Sequence, residues 1–348
     1  MQPAPYTFLV ETASEVSLPP SFQQIGETIA ETNLILTGEK IALSELETAY
    51  HSPLETVYQT TSSFSSPQSQ PTVSPAPKKI TKKAPTTSNS QPKVLIPVFP
   101  GTNCEYDTAA AFAQAGAQPE ILVFRNLTPP AVAESLAAFA SAIGDSQILM
   151  LPGGFSSGDE PDGSAKFIAT ILQTPQIADA IANLYQTRQG LVLGICNGFQ
   201  ALVKSGLLTP SGSATLTHNP IARHISTYVT TRVSNNNSPW LAHSQIGDLH
   251  TIPVSHGEGR FLADEDTLQS LIANGQIATQ YSLSDGTPTM SEPANPNQSA
   301  LAIEGITSPC GLIFGKMGHT ERRGKDIAKN IPGEKHQPLF KAGVEYFL

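Results

Sequence analysis

Short apolar runs and amphipathic segments alternate along residues 93–195. The apolar runs have the length and composition of buried strands, and they cover residues 94–99, 120–124, 147–151 and 191–195. The amphipathic segments are typical of helices, and they cover residues 104–115, 130–143 and roughly 164–187. Strand–helix alternation of this kind predicts an α/β fold with a doubly wound, mostly parallel sheet. The functional groups of such sheets lie at the carboxyl ends of the strands.

Signals for β-strands become denser between residues 214 and 315. The predicted strands in this part of the chain cover residues 227–233, 251–255, 276–282 and 312–314. A closing helix is predicted over residues 338–347. We therefore expect a β-rich region added to the parallel sheet.

The first 92 residues divide into two zones. Strand candidates at residues 6–10 and 33–37, and a short helix at 44–50 capped by Ser44, indicate a folded piece within residues 1–60. This piece is too small to bury much surface alone. Residues 61–92 are rich in Pro, Ser, Thr, Gln and Lys, so they have too little apolar surface to offset the entropy of ordering. They predict a flexible linker before a main domain at residues 93–348.

Composition excludes several classes of protein. The formal net charge of −9 argues against a nucleic-acid binder, whose domain normally carries a basic face. The N-terminus lacks the features of a signal peptide, and no apolar run approaches the ~18 residues of a membrane span. Three cysteines, Cys104, Cys196 and Cys310, are too few and too scattered for a disulfide framework or a metal cage. We expect a cytoplasmic protein with reduced thiols, no metal, and neither a nucleic-acid nor a membrane partner.

Cys196 stands in a strand–Gly-x-Cys-x-Gly–helix pattern, with Gly194 and Gly198 on either side. This is the cysteine version of a nucleophile elbow, a turn so tight that its central residue is strained and its side chain rises above the sheet. The sulfur then lies at a helix N-terminus, where the helix dipole favours the reactive thiolate. The backbone N–H of Asn197 would face a developing oxyanion. The pattern predicts that Cys196 is a nucleophile.

A thiolate nucleophile needs a base, and the base needs an orienting group. His319 and Glu321 follow the predicted strand at 312–314, and alternate residues of an extended segment point the same way. Glu321 could therefore hold the imidazole of His319. His256, in a His-Gly-Glu-Gly-Arg run, is the strongest rival for the base. Cys104 is the rival nucleophile, but it lacks the flanking glycines, which favours a structural or domain-contact role.

Five separated motifs carry a family resemblance. The signatures of class I (triad) glutamine amidotransferases are matched by Pro152-Gly-Gly-Phe, Gly194-Ile-Cys-Asn-Gly-Phe-Gln and Met317-Gly-His-Thr-Glu-Arg. The resemblance is narrowed to the glutaminase part of phosphoribosylformylglycinamidine synthase by Phe99-Pro-Gly-Thr-Asn-Cys-Glu and Ser255-His-Gly-Glu-Gly-Arg-Phe. It runs from about residue 93 to the C-terminus and implies a flavodoxin-like scaffold.

The resemblance also implies roles for individual residues. It assigns the catalytic triad to Cys196, His319 and Glu321, and the oxyanion hole to Gly153, Gly154 and the Asn197 amide. It assigns glutamine contact to Gln200, and glutamine-site or interface support to His256. The implied reaction is hydrolysis of L-glutamine, whose ammonia passes to a formylglycinamidine synthetase domain or subunit. ATP and magnesium belong to that partner, and this chain is expected to hold no cofactor.

Residues 6–60 are similar to the tail of the synthetase unit in the large fused form of that enzyme, so the chain would hold only a remnant of its partner. It could be a fragment, a split subunit or part of a longer polypeptide. Two other functions stay open at this point: a non-catalytic regulatory module, and a stand-alone cysteine hydrolase on the same fold. The hydrolases normally place a histidine directly after the cysteine, where this chain has Asn197.

Overall fold

A computed structural model describes residues 10–13, 16–55, 85, 90–155 and 165–348. The chain divides into two compact units, Met1–Pro53 and Leu54–Leu348. The strand candidate at residues 6–10 lies outside the described residues except for its last position, and so does nearly all of the linker expected at 61–92. None of the helices within the described ranges has both the length and the apolar character needed to cross a bilayer.

The first unit contains a β-hairpin and most of a helix. The hairpin strands β1 (Asn33–Leu36) and β2 (Glu39–Ala42) pair antiparallel across a tight turn, and α1 (Leu43–Glu55) follows directly. Leu34 and Ile35 are exposed on β1 within the described structure. The predicted strand at 33–37 and helix at 44–50 are thus both present, and the helix is longer than predicted.

The second unit contains a mixed sheet with helices. Its strands are β3 (Lys93–Val98), β4 (Gln118–Val123), β5 (Ile148–Leu151), β6 (Leu191–Ile195), β7 (Ala214–Thr217), β8 (Ile225–Val233), β9 (Leu249–His256), β10 (Arg260–Ala263), β11 (Ile277–Ser282), β12 (Ile303–Thr307) and β13 (Ile313–Lys316). Its α-helices are α2 (Glu105–Gln114), α3 (Pro129–Asp145), α4 (Lys166–Leu172), α5 (Pro175–Ala182), α6 (Asn197–Lys204), α7 (Glu265–Ala273) and α8 (Leu339–Glu345). A π-helical turn, Asn183–Thr187, extends α5.

Nine strands form one sheet in the order β4-β3-β5-β6-β13-β12-β11-β8-β9. The first five are joined by parallel pairs and follow the 2-1-3-4-5 order of flavodoxin-like folds. The last four continue the same sheet through antiparallel pairs. The predicted α/β fold is therefore confirmed, and the β-rich region is an extension of the parallel sheet. The strands β7 and β10 form a separate two-stranded ribbon.

Burial explains why the apolar runs are good strand signals here. Every residue of β5 and β6 is buried, because central parallel strands are covered on both faces. In the edge strand β4 four of the six residues are exposed and none is buried, and its sequence is more mixed. The helix α3 begins at Pro129 with Thr128 as its cap, since the Thr128 hydroxyl accepts the backbone N–H of Ala131 at 3.3 Å.

Five of the strands and α-helices among the described residues were not predicted from the sequence, namely β2, β7, β10, β12 and α7. The strand β12 (Ile-Glu-Gly-Ile-Thr) was not predicted because Glu304 and Gly305 interrupt its apolar run. All five of its residues are nonetheless buried. The charge of Glu304 is tolerated only because the sheet supplies partners from neighbouring strands.

The closing helix α8 covers an aromatic cluster of the core. The Phe340 ring lies edge-on to Phe112 with centroids 4.9 Å apart, and Phe112 lies 6.3 Å from Trp240. The Trp240 indole N–H donates to the backbone oxygens of Val192 and Leu312, at 3.1 and 3.3 Å. Trp240 therefore links β6 to the residue just before β13. These two strands lead into the site described below.

We expect Leu339→Ala in α8 to lower the free energy of unfolding by about 2–5 kcal/mol, because a fully buried side chain leaves a cavity. The measurement is urea denaturation followed by the fluorescence of Trp240, the single tryptophan. The matched control is Leu127→Ala, where the same side chain is 93% exposed and the change should stay within about 0.5 kcal/mol. Equal losses in both variants would contradict the packing of α8 on the core.

Candidate active site

The turn between β6 and α6 holds Cys196 in a strained conformation. Its φ is 53° and its ψ is −108°, which lies outside the favoured regions for a side chain with a Cβ. Its backbone N–H donates to Lys316 O at 2.8 Å, and its thiol is buried, 3.7 Å from Ser255 O. The residue thus has the backbone of a nucleophile elbow and stands at the N-terminus of α6.

Close packing behind the elbow requires glycine on both sides of the cysteine. A Cβ on Gly198 would lie 2.0 Å from Leu151 O, and a Cβ on Gly194 would lie 2.6 Å from Gly198 O. Since real Cβ atoms do not approach backbone atoms this closely, α6 can pack on β5 and β6 only with these glycines. The Gly-x-Cys-x-Gly pattern therefore has a steric cause.

His319 and Glu321 form a buried pair in the loop after β13. The His319 Nδ1 lies 2.6 Å from Glu321 Oε1, and both side chains are almost fully inaccessible to solvent. The backbone N–H of His319 donates to Pro253 O at 2.8 Å, which ties this loop to β9. Because Nδ1 is occupied by the carboxylate, Nε2 is the nitrogen left for chemistry, and it makes no hydrogen bond with the described residues.

Burial and charge act in opposite directions on this pair. Burial alone would lower the pKa of His319, but the Glu321 carboxylate and the Cys196 thiolate outweigh it and raise that pKa well above its ordinary value. Burial alone would raise the pKa of Glu321, and the His319 imidazolium reverses this shift. The pair therefore contributes its full stabilisation between the ordinary values of 4.5 and 6.5. That stabilisation is lost as the pH falls through the Glu321 pKa or rises through the His319 pKa.

Gly153, at the end of β5, is the point where the site residues converge. A Cβ placed there would lie 2.8 Å from His319 Cε1, 3.1 Å from Cys104 Sγ and 3.5 Å from Cys196 Cβ. The nucleophile and the imidazole thus border one small space, although no hydrogen bond of ordinary geometry joins them in the described part of the chain. Only glycine leaves this space open for a reacting group.

Two further residues predicted for an oxyanion hole directly follow Gly153 and Cys196 in the chain. Gly154 follows Gly153, and a Cβ on it would meet Gly101 O at 2.5 Å. Asn197 occupies the first position of α6, so its backbone N–H is directed outward from the helix start. Such donors can stabilise negative charge that develops on a carbonyl oxygen beside the Cys196 sulfur.

Gln200 is hydrogen-bonded to the protein through both the oxygen and the nitrogen of its side-chain amide. Its oxygen accepts the Asn197 side-chain N–H at 3.0 Å, and its Nε2 donates to Glu258 O. The side chain therefore joins α6 to the loop that follows β9. This arrangement places Gln200 next to the site, and its predicted contact with glutamine stays a prediction.

His256, the rival base, is buried in a different environment. Its Nε2 lies 3.2 Å from the Asn297 amide nitrogen, which donates to it. Burial, reinforced by the positive charge of His319, lowers the pKa of His256 to about 3. The imidazole is therefore neutral and has an amide partner in place of a carboxylate. These contacts favour His319 as the base and leave His256 as a support of its loop.

Cys104, considered from the sequence as a rival nucleophile and given a structural or domain-contact role, lies beside His319. Its sulfur is 3.9 Å from His319 Nδ1 and accepts a hydrogen bond from Arg322 Nη2 at 3.0 Å. Burial acts to lower the pKa of Arg322, and the combined effect of Cys104, Glu321 and Cys196 reverses this and raises that pKa above its ordinary value. The available signal was topological, since Cys104 follows β3 at the same sheet edge where Cys196 follows β6.

Ligand atoms of Cys104, His319 and Glu321 all lie within 4.8 Å of one another, a combination that can bind zinc. Two contacts oppose this use. The His319 nitrogen on that side is occupied by Glu321 at 2.6 Å, and the Arg322 guanidinium lies 3.0 Å from the sulfur. A cation at this point would face the positive charge of Arg322. The group is better explained as a histidine–carboxylate pair with a neighbouring thiol.

A cavity of about 290 Å³ reaches His319 from the loop that follows it. Four basic residues and one acidic residue line it, namely Arg322, Arg323, Lys325, Lys335 and Glu334. A positive wall of this kind attracts anionic groups toward the histidine.

Known proteins are similar to this chain in sequence and in fold. Residues 91–347 match the family model of a CobB/CobQ-like glutamine amidotransferase domain. Phosphoribosylformylglycinamidine synthase subunit PurQ of Salinibacter ruber is 35% identical over 229 residues, which cover 65% of this chain and 86% of that subunit. The subunit of the same name from Methanococcus maripaludis is 36% identical over 280 residues, which cover 74% of this chain and 97% of that subunit. The structure of PurLQS from Thermotoga maritima matches with a TM-score of 0.54 and 27% identity, covering 74% of this chain and 100% of that one.

We expect Glu321→Gln to lower the pKa of His319, because burial then acts without the carboxylate that outweighs it. The measurement is an NMR titration of the His319 ring resonances between pH 5 and pH 9, a window of about four units around the ordinary histidine value. The control is Glu345→Gln, which removes the carboxylate 2.5 Å from the half-exposed His243 and should leave the His319 titration unchanged. An unshifted His319 pKa in Glu321→Gln would contradict the assigned pair.

Proposed function

The chain belongs to the family of CobB/CobQ-like glutamine amidotransferase domains, and we propose that it is the glutaminase part of a phosphoribosylformylglycinamidine synthase. In this role it hydrolyses L-glutamine through a thioester on Cys196 and supplies the ammonia to a synthetase. The observation that carries the proposal is the strained Cys196 elbow beside the buried His319–Glu321 pair, with Gly153 between them. A non-catalytic module would have no need to keep a strained cysteine next to a buried ion pair.

The first half of the reaction forms the thioester. The Cys196 thiolate attacks the side-chain carbonyl carbon of glutamine, and the negative charge passes to the carbonyl oxygen. Backbone N–H groups at Asn197 and at the Gly153-Gly154 turn are suited to stabilise that oxyanion. His319 then gives its Nε2 proton to the leaving nitrogen, so that the C–N bond breaks and ammonia leaves.

The second half returns the enzyme to its starting state. His319, now neutral, takes a proton from a water molecule, and the hydroxide attacks the γ-glutamyl thioester. The C–S bond breaks, glutamate leaves, and Cys196 is again a thiolate beside an imidazolium. Throughout, Glu321 keeps the proton on Nδ1 and stabilises the imidazolium, which is the role of the carboxylate in such triads.

The ammonia is proposed to pass to a synthetase partner. That partner would use ATP and magnesium to convert formylglycinamide ribonucleotide into its amidine, a step of purine biosynthesis. Relatives named as PurQ subunits and the PurLQS structure support a separate synthetase subunit. We place both ATP and magnesium on that partner, so that this chain contributes the glutaminase chemistry alone.

We expect Cys196→Ala to lower glutamine hydrolysis at least about 10³-fold, because the nucleophile is lost. The measurement is glutamate release, together with mass spectrometry of acid-quenched protein for a γ-glutamyl group on the Cys196 peptide. Cys310→Ala is the control, since Cys310 is exposed in a turn and its loss should leave turnover intact. Unchanged turnover in Cys196→Ala would overturn the assignment of the nucleophile.

We expect a separately expressed synthetase to form the amidine from glutamine only when this chain is present with Cys196 intact. With Cys196→Ala, an ammonium salt should restore product, because the synthetase needs only ammonia. The measurement is amidine formation with glutamine or ammonium as nitrogen source. If the synthetase neither stimulates glutamine hydrolysis nor accepts the nitrogen, the chain is a glutaminase without a role in purine synthesis.

A further inference from the structure

A charged pair lies wholly inside the sheet beside the site. Lys316 ends β13 and Glu304 lies on the neighbouring strand β12, with Nζ and Oε1 3.2 Å apart and no exposed side-chain surface on either. Taking two charges out of water is costly, and such pairs persist only where further hydrogen bonds satisfy both groups. The remaining contacts of the pair therefore indicate what it holds in place.

The Lys316 ammonium donates to both sides of His319. One N–H goes to Glu304, the second to Gly318 O at 3.0 Å, and the third to Thr320 Oγ1 at 2.7 Å. All three donors of the ammonium are thus used. Two of them act on the residues directly before and after the histidine.

The Glu304 carboxylate holds the start of the same loop. The carboxylate oxygen Oε1 accepts the backbone N–H of Gly318 at 2.7 Å. The backbone oxygen of Glu304 accepts the N–H of Met317 at 3.0 Å. Its Oε2 accepts the hydroxyl of Thr279 at 2.5 Å on the far side. The carboxylate therefore fixes the peptide groups that lead into His319.

Lys316 is also bonded to the nucleophile turn. Its backbone oxygen accepts the N–H of Cys196 at 2.8 Å, while its side chain reaches across the loop to Thr320. One residue thus contacts the cysteine turn through its backbone and the histidine loop through its ammonium. The Thr320 hydroxyl in turn donates a hydrogen bond to Gln337 Oε1 at 2.9 Å.

We propose that the buried Lys316–Glu304 pair is a positioning device that sets His319 and Glu321 relative to Cys196 by holding Gly318 and Thr320. Neither side chain of the pair touches the reacting atoms, so both are positioning residues. The inference rests on the proposed glutaminase function. It adds to that function two residues outside the triad and the oxyanion hole.

The first test compares two hydroxyl-to-methyl changes at buried threonines. Thr320→Val removes the hydroxyl that Lys316 holds, while Thr231→Val removes a buried hydroxyl that donates to His250 O at 3.3 Å, outside this network. We expect Thr320→Val to lower kcat for glutamine about 10-fold with KM changed less than about 2-fold, because a displaced base slows chemistry without weakening binding. Thr231→Val should keep kcat within about 2-fold, with a similar fall in Tm.

The second readout is the pH dependence of Cys196 alkylation by iodoacetamide, with peptide mass spectrometry separating Cys196 from Cys104 and Cys310. The wild type should react well below the pH range of an ordinary thiol, since His319 is there to pair with the thiolate. Thr320→Val should shift that profile toward an ordinary thiol, and Thr231→Val should not. Equal effects of the two changes on kcat and on this profile would overturn the inference. An ordinary profile in the wild type would instead overturn the proposed glutaminase site.

A double variant separates positioning from stability. Lys316→Met alone leaves a buried carboxylate without its cation, and we expect a large fall in Tm together with loss of turnover. Adding Glu304→Leu removes the unpaired charge, so Tm should recover while kcat stays at least about 10-fold below wild type. Recovery of both Tm and kcat in Lys316→Met/Glu304→Leu would show that the pair serves the fold alone.

Discussion

The parallel pairing of β6 with β13 is the constraint on which the candidate site depends. Its register places Ile195 opposite Lys316, so both strands end at one level of the sheet. The next residue after β6 is Cys196, and three residues after β13 comes His319. Because the chain turns away from the sheet at both strand ends, the thiol and the imidazole converge on Gly153 from neighbouring strands.

Two buried ion pairs serve this edge in different ways. In the His319–Glu321 pair, charge outweighs burial, and the imidazole is held in its protonated form with Nε2 available. In the Lys316–Glu304 pair, every ammonium N–H is used to hold backbone or side-chain oxygen. His256 shows the contrast, since burial without a carboxylate partner leaves it neutral. A carboxylate partner therefore decides which of these two buried histidines is charged.

The same edge explains why some functional neighbours could not be predicted. Cys104 has no flanking glycine signal, and its distance of 3.9 Å from His319 Nδ1 follows only from the place of β3 in the strand order. Glu304 interrupts an apolar run and so hides β12 from a pattern-based prediction. Gln200 is joined to Glu258 across 58 positions of sequence, a contact that no local pattern encodes.

By itself, the sequence determined the features whose cause is local. Continuous apolar runs predicted β3, β5 and β6, because a strand buried on both faces must be apolar throughout. The glycines around Cys196 predicted the elbow, because a tight turn limits Cβ atoms at each position. The tertiary structure alone decided which polar groups meet: Lys316 with Glu304, and Arg322 with Cys104. These contacts depend on strand order and register, which bring together segments that are distant in sequence. Neither segment carries a hydrophobic pattern that predicts the contact.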